Sequence, residues 1–171
     1  MNYTQATSII NLRGKFMPNW CENELIIKTN DNHDEDLDEI IEKYCSIRND
    51  NEQCIDFEKI SPIPKMKEED WYNWNCNNWG TKWNAQGWAF ENEGLQLFFS
   101  FGTAWSPPIP VIQQLSATFP HCRMILKYCE PGMCFAGKTI FRAGKILEEV
   151  NTEDIKHPIF KHFGHTFEEE D

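Results

Sequence analysis

Residues 20–44, WCENELIIKTNDNHDEDLDEIIEKY, change hydrophobic period part-way along, and that change decides the fold. In Trp20–Thr29, Leu25, Ile26 and Ile27 are β-type residues and the run ends at Asn30-Asp31, a turn pair, so it reads as a strand. From Asp34 the apolar positions become Leu37, Ile40, Ile41 and Tyr44, whose i, i+3, i+4, i+7 spacing puts them on one helical face. Asp34, Glu35 and Asp36 suit its first turn, where the helix dipole favours negative charge.

Both patterns recur downstream. Trp88–Phe90 and Leu95–Phe101 flank Asn92-Glu93-Gly94 and read as a hairpin. Ser106-Pro107-Pro108 reads as a helix start with Ser106 as N-cap, and Val111, Leu115 and Thr118 or Phe119 follow at helical spacing. Arg123–Cys129 alternates Met124, Leu126 and Tyr128 with Arg123 and Lys127, as a half-buried strand does. The order βαββαβ is the split βαβ unit, which predicts an α+β, ferredoxin-like antiparallel sheet with two helices on one face. Met133–Phe141 and Lys145–Val150, turning at Arg142-Ala143-Gly144, are expected to add a C-terminal hairpin. A long Trp-rich insertion, residues 49–87, separates helix one from strand two. Its alternating Pro62 and Pro64 exclude a helix there, and the whole stretch is expected to be irregular.

A chain of 171 residues with seven Trp and twelve Phe has material for one core and needs no second. The domain is expected over residues 17–150, with 1–16 an N-terminal extension of doubtful order and 151–171 an acidic C-terminal tail. Arg13 and Lys15 follow Ile9 and Ile10, the reverse of a signal peptide's order. No apolar run approaches the roughly 18 residues of a membrane span. Seven cysteines with no Cys-x-x-Cys pair predict a reduced, structural set and a cytoplasmic location. The net charge is −11: residues 31–42 carry seven acids and no base, and residues 148–171 carry eight acids against Lys156 and Lys161. That balance argues against nucleic-acid binding, which needs clustered Lys and Arg.

Six segments in order, Met17-Pro18-Asn19-Trp20-Cys21-Glu22-Asn23, Ile60-Ser61-Pro62-Ile63-Pro64, Asn78-Trp79-Gly80-Thr81-Lys82-Trp83-Asn84-Ala85, Thr103-Ala104-Trp105-Ser106-Pro107-Pro108, Leu115-Ser116 with Phe119-Pro120, and Tyr128–Gly137, carry a resemblance across residues 17–144. Together they resemble the YubB-like ferredoxin-fold family, accessory proteins of plasmids and phages with no settled activity. The resemblance implies a mobile-element origin and implies no catalytic residue.

The tryptophans of the insertion suggest either a stacking platform or the packed interior of a long loop. The interior reading carries more weight, because an insertion must bury something to stay ordered. Lys82, among Trp79, Trp83 and Trp105 with Thr81, Asn84 and Thr103 nearby, is a candidate anion binder or perturbed amine, though lysines beside rings more often snorkel to water. Glu130 is a candidate partner for it. His162-x-x-His165 supplies half of a zinc pattern without a third ligand, and Cys21 with His121 has no local support as a nucleophile and base. No metal, cofactor or catalytic residue is expected. A second candidate surface is the acidic side of helix one, Asp34, Glu35, Asp38, Glu39 and Glu42, for which a merely solvated face is the simpler reading. The expectation is a non-catalytic protein that binds a host or mobile-element protein, with antagonism of a host defence such as a nucleic-acid-guided nuclease as its setting. A small-ligand or nucleotide-binding domain using the Trp/Lys cluster is the alternative, and an enzyme acting through Lys82 or Glu130 a second one.

Overall fold

In the strand β1 (Trp20–Lys28) every second side chain, Cys21, Asn23, Leu25 and Ile27, is buried, and the residues between them face the other way. Fully burying Leu25 and Ile27 contributes about 1.5–3 kcal/mol each. The computed structural model describes residues 19–30, 32–48 and 52–165. The expected extension 1–16, Met17-Pro18 and the tail end 166–171 lie outside them.

After β1 come α1 (Glu35–Tyr44), β2 (Cys45–Arg48), β3 (Glu52–Ile55), α2 (Phe57–Ile60) and α3 (Trp71–Asn78). Then follow β4 (Gln86–Asn92), β5 (Gln96–Ala104), α4 (Ile109–Thr118), β6 (Arg123–Glu130), β7 (Phe135–Arg142), β8 (Lys145–Thr152) and α5 (Pro158–His162). Six strands form one antiparallel sheet in the order β4-β5-β1-β6-β7-β8, while β2 and β3 pair separately. The arrangement is α+β and ferredoxin-like. Leu37 and Ile40 of α1 and Val111, Ile112 and Leu115 of α4 share one core with Leu25, Ile27, Leu97, Phe99, Phe101, Met124 and Leu126. The opposite face meets a smaller cluster, in which Phe160 of α5 packs on Cys129 and Ala136. The C-terminal segment is thereby pinned to the sheet as far as α5.

Two expectations are corrected. The stretch expected to be irregular holds β3, which pairs with β2 just before it, the helices α2 and α3, and a 3-10 turn at Glu68–Asp70. β2 and β3 pair antiparallel, Cys45 opposite Ile55 and Arg48 opposite Glu52, and neither segment is long enough to show a clear alternation. Helix α3 escaped because it has no apolar stripe: among WYNWNCNN only Asn75 is buried, and the composition favours no helix. The prolines act where expected, since 61–66 is non-helical. Second, Ser106 does not cap α4. The helix begins at Ile109 without a side-chain cap, and the Ser106 hydroxyl donates instead to the carbonyl of Gly80 at 2.6 Å.

The β7–β8 turn places Ala143 and Gly144 at φ 50° and 75°, the geometry of a tight primed turn. Within that hairpin Gly137 lets the Tyr128 ring lie across β7, so that its hydroxyl donates to Asn151. A Cβ on Gly137 would stand 2.6 Å from the backbone oxygen of Val150 and closer still to the Tyr128 ring. Gly137→Ala is therefore expected to destabilise the protein by about 1–3 kcal/mol in urea unfolding. An unchanged midpoint would mean that the ring moves aside freely.

None of the seven cysteines forms a disulfide, and Cys21, Cys45, Cys54, Cys122 and Cys129 are buried. Burial pushes the thiols of Cys45 and Cys129 up to about 12, that of Cys122 up to about 11, and the Tyr128 phenol up to about 12. These groups hold their protons more tightly folded than unfolded. Their contribution is thus complete below the ordinary thiol value of 9.0 and is lost as pH climbs through 11 to 12. Thermal midpoints are expected to fall steadily across that alkaline window; a level profile would show that the thiols ionise without unfolding.

Candidate functional site

The loop after α3 returns to the core through Trp79, which is buried and donates its indole N–H to the carbonyl of Ser61 at 2.9 Å. Its ring meets Phe57 at 6.0 Å and Trp74 edge-on at 5.9 Å. Thr81 is also buried, its hydroxyl donating to the Ala104 carbonyl at 2.9 Å. Asn84 accepts from the backbone N–H of Phe57 at 2.9 Å and donates to Asp56 at 2.7 Å, and Asp56 in turn caps α2. Three of the candidate residues are therefore supports, spent on holding the insertion to the sheet.

Lys82, between Thr81 and Trp83, carries its ammonium over three ring faces: Trp83 at 4.5 Å, Trp105 at 5.1 Å and Tyr72 at 5.9 Å. Such cation–π contacts stabilise by about 0.5–1 kcal/mol at exposed sites and more when drier. The Lys82 carbonyl accepts from the buried Asn75 amide at 2.9 Å, which ties the loop to α3. Trp83 continues the surface to Trp20 at 6.4 Å. The rings of Trp20 and Trp88 both lie over Gly102, where a Cβ would come within 2.6 Å of Trp88 and 3.1 Å of Trp20. Tyr72, Trp88 and Trp105 are each about two-fifths exposed, at 41%, 45% and 39%. Tyr72 and Trp20 are not among the candidates read from the sequence, and Trp88 enters there only as one of the tryptophans of the block 71–88. No spacing rule links them, and they meet only through the sheet register and α3.

Trp105 stands at φ 66° in a γ-turn closed by the Ser106 N–H donating to the Ala104 carbonyl at 2.9 Å. Positive φ in a bulky residue costs of the order of 1–3 kcal/mol and persists only where neighbours enforce it. The enforcement is visible. Asn23, fully buried in β1, donates to the Thr103 hydroxyl at 2.8 Å, and that hydroxyl donates to the Ser106 carbonyl at 2.7 Å. On the outer side the Trp105 N–H donates to the carbonyl of Asn19 at 3.0 Å.

Glu130 does not pair with Lys82. Its buried carboxylate accepts the backbone N–H groups of Gly132, at 3.1 Å, and Met133, shaping the turn after β6. A carboxylate two and three residues from two backbone amides finds them before a distant side chain. The acidic candidates lie on α1 and its N-cap. Asp34 caps the helix by accepting from the Glu35 N–H at 3.2 Å, and Glu39 pairs with Lys43 at 2.9 Å, raising the lysine's pKa by hydrogen bond and charge. Asp34, Glu35, Asp38 and Glu42 are exposed and Glu39 half-buried. His162 and His165 turn to β1 instead of toward each other's ligand sphere, meeting Glu24 at 2.6 Å and Glu22 at 2.8 Å. Among the described residues no group of three His, Cys, Asp or Glu side chains is placed to hold a metal, and no helix is long and apolar enough to cross a membrane.

Thr103→Val keeps the shape of the side chain while removing the hydroxyl that joins Asn23 to Ser106. The expected cost is about 1–3 kcal/mol, for leaving a buried amide and carbonyl short of a partner, together with a changed tryptophan emission from Trp105. Unchanged stability and emission would mean that the turn holds itself.

No curated protein matches the chain. A crystal structure of the protein api92 from Yersinia pseudotuberculosis is similar with a TM-score of 0.60 at 10% identity, over 80% of this chain and 98% of that one. At that identity the likeness speaks for the fold. Residues 78–171 match a family model described as the ferredoxin-like domain in Api92-like protein, a span that takes in the C-terminal tail which the motif resemblance left out. That match covers β4 to α5, more than half of the chain, and the protein accordingly belongs to the family of ferredoxin-like domains found in Api92-like proteins.

Proposed function

We propose that the protein is a non-catalytic binding protein that docks a partner protein on the aromatic surface around Lys82. One observation carries this reading. Trp105 is held half out of the protein at a strained backbone angle by a buried polar network, although a smaller residue would sit there at lower cost. Exposed aromatics with a rigid base are the residues that dominate protein interfaces, because they bring contact area at little entropic cost. Catalysis finds less support: Lys82 is occupied by ring faces, and Glu130 by backbone amides.

The finer setting follows from the motifs. The YubB-like resemblance supports a plasmid or phage accessory role in the cytoplasm, the compartment that suits seven cysteines outside any disulfide. Antagonism of a host defence nuclease suits the acidic side of α1, since an acidic surface can occupy a basic nucleic-acid channel. A second reading, a nucleotide-like ligand stacked on Trp105 with its phosphate at Lys82, is favoured by the ammonium lying among three rings.

Affinity capture from host cells with the wild-type protein and Trp105→Ala is the test. A stoichiometric protein partner retained by the wild type, and weakened on the order of 30-fold by the substitution, is expected for a central hot spot costing about 2 kcal/mol. Recovery of no such partner would overturn the docking reading. A saturable change of tryptophan fluorescence with nucleotides, lost in Lys82→Ala, would replace it with the ligand reading.

A further inference from the structure

Helix α5 covers the second face of the sheet around Cys129 and Ala136, and its last residue, His162, reaches Glu24 and Lys127. Farther along the strands the registers line up side chains from neighbouring strands into rows. Lys28 stands opposite Arg123, Arg123 opposite Arg142, and Arg142 opposite Lys145. All four are exposed, and none forms an ion pair with another described residue. Like charges directly opposite across a sheet are destabilising, and here three such pairs run in succession within a chain of net charge −11. The adjoining row is apolar: Phe98 opposite Ile26, Ile26 opposite Ile125, and Ile125 opposite Ile140. Phe98, Ile26 and Ile125 are only half-buried. Its outer neighbours are Glu91 on β4 and Glu148 on β8, the latter held by Lys138 at 2.6 Å.

We propose that this part of the sheet binds an acidic amphipathic segment of a partner protein. Carboxylates of the segment would meet Lys28, Arg123, Arg142 and Lys145, and its apolar side chains would lie on Phe98, Ile26 and Ile125. Charge complementarity selects an anion. The neighbouring row selects an aliphatic one: three of its four members are isoleucines, whereas base stacking uses aromatic rings. The net charge repels a long polyphosphate before it arrives, while a short segment brings few charges. A second copy of this chain fits poorly, because the acidic helix α1 has Leu37 and Ile40 turned into its own core and offers no apolar side.

The surface is separate from the aromatic one. β1 carries Trp20 at one end and Lys28 at the other, about 26 Å apart for nine residues of strand. The two sites therefore succeed or fail independently.

The probes are a short fluorescein-labelled peptide of alternating Glu and Leu and a labelled oligothymidylate of matching length, read by anisotropy. Saturable peptide binding is expected, weakened at least on the order of tenfold in the double variant Arg123→Glu, Arg142→Glu and unaffected by Trp105→Ala. The milder pair Arg123→Gln, Arg142→Gln removes like-charge neighbours, so it is expected to melt no lower than the wild type while binding more weakly. Absence of saturable peptide binding, or equal affinity in the wild type and both double variants, would overturn the proposal. So would preference for the oligothymidylate, which would reassign the face to nucleic acid.

Discussion

Strand β1 is paired along its length with β5 and from Glu22 to Lys28 with β6, and this two-sided ladder sets which side chains reach which face. Its odd-numbered residues build the floor under α1 and α4. Its even-numbered residues, Trp20, Glu22, Glu24, Ile26 and Lys28, lie along the other face and supply a member to each of its surfaces. Trp20 joins the aromatic surface, Glu22 and Glu24 receive the two histidines of the C-terminal segment, and Ile26 and Lys28 enter the apolar and cationic rows. A slip of one residue would expose Leu25 and Ile27 and exchange all of these at once. Core burial, the strongest term, thus fixes the surfaces that carry little stability of their own.

The cost of the aromatic surface is met inside the core. Asn23 occupies a position on β1 that an aliphatic residue would fill with less desolvation, and it is tolerated because its amide donates to Cys21, Phe101 and Thr103. Through Thr103 the same amide reaches the Ser106 carbonyl and so fixes the turn that projects Trp105. Thr81 and Ser106 close the other side, one on the Ala104 carbonyl and one on that of Gly80. A hydrogen-bonded network is worth more than a flexible loop here: it fixes a ring direction and reduces the ordering entropy of any partner contact.

What the sequence disclosed, and what it hid, follows from range. Periodicity is local, so the alternation around Leu25 and the heptad-like spacing of Leu37, Ile40 and Tyr44 revealed the ferredoxin-like core. Helix α3 has no stripe to read, and its helical state rests on Trp74 and Asn75 reaching the insertion's interior. The sequence names Trp79, Thr81, Lys82, Trp83, Asn84, Thr103 and Trp105 together as one candidate cluster, undivided in role. Only the fold separates Trp79, Thr81, Asn84 and Thr103, which support, from Lys82, Trp83 and Trp105, which are presented. Glu130 was misread because its partners are backbone amides within three residues, invisible to any count of charges. The cationic row was hidden for a related reason: Lys28, Arg123, Arg142 and Lys145 come from four strands, and summation along the chain dissolves them in the surplus of acids.

That concealment has a physical consequence for recognition. Beyond about 8 Å at physiological ionic strength a partner senses little more than the screened net charge, which is negative. Closer in, the molecule is two-sided: α1 presents Asp34, Glu35, Asp38 and Glu42 from above one face of the sheet, and the cationic row stands on the other. A basic partner would be drawn in from a distance and would then find the acidic side. The proposed acidic segment would gain nothing until within contact range of Arg123 and Arg142, so its selection would depend on short-range fit to Ile26, Phe98 and Ile125 instead of on steering. Two charge-opposed partners would in this way be held apart by the sheet, on whose opposite faces the two surfaces lie.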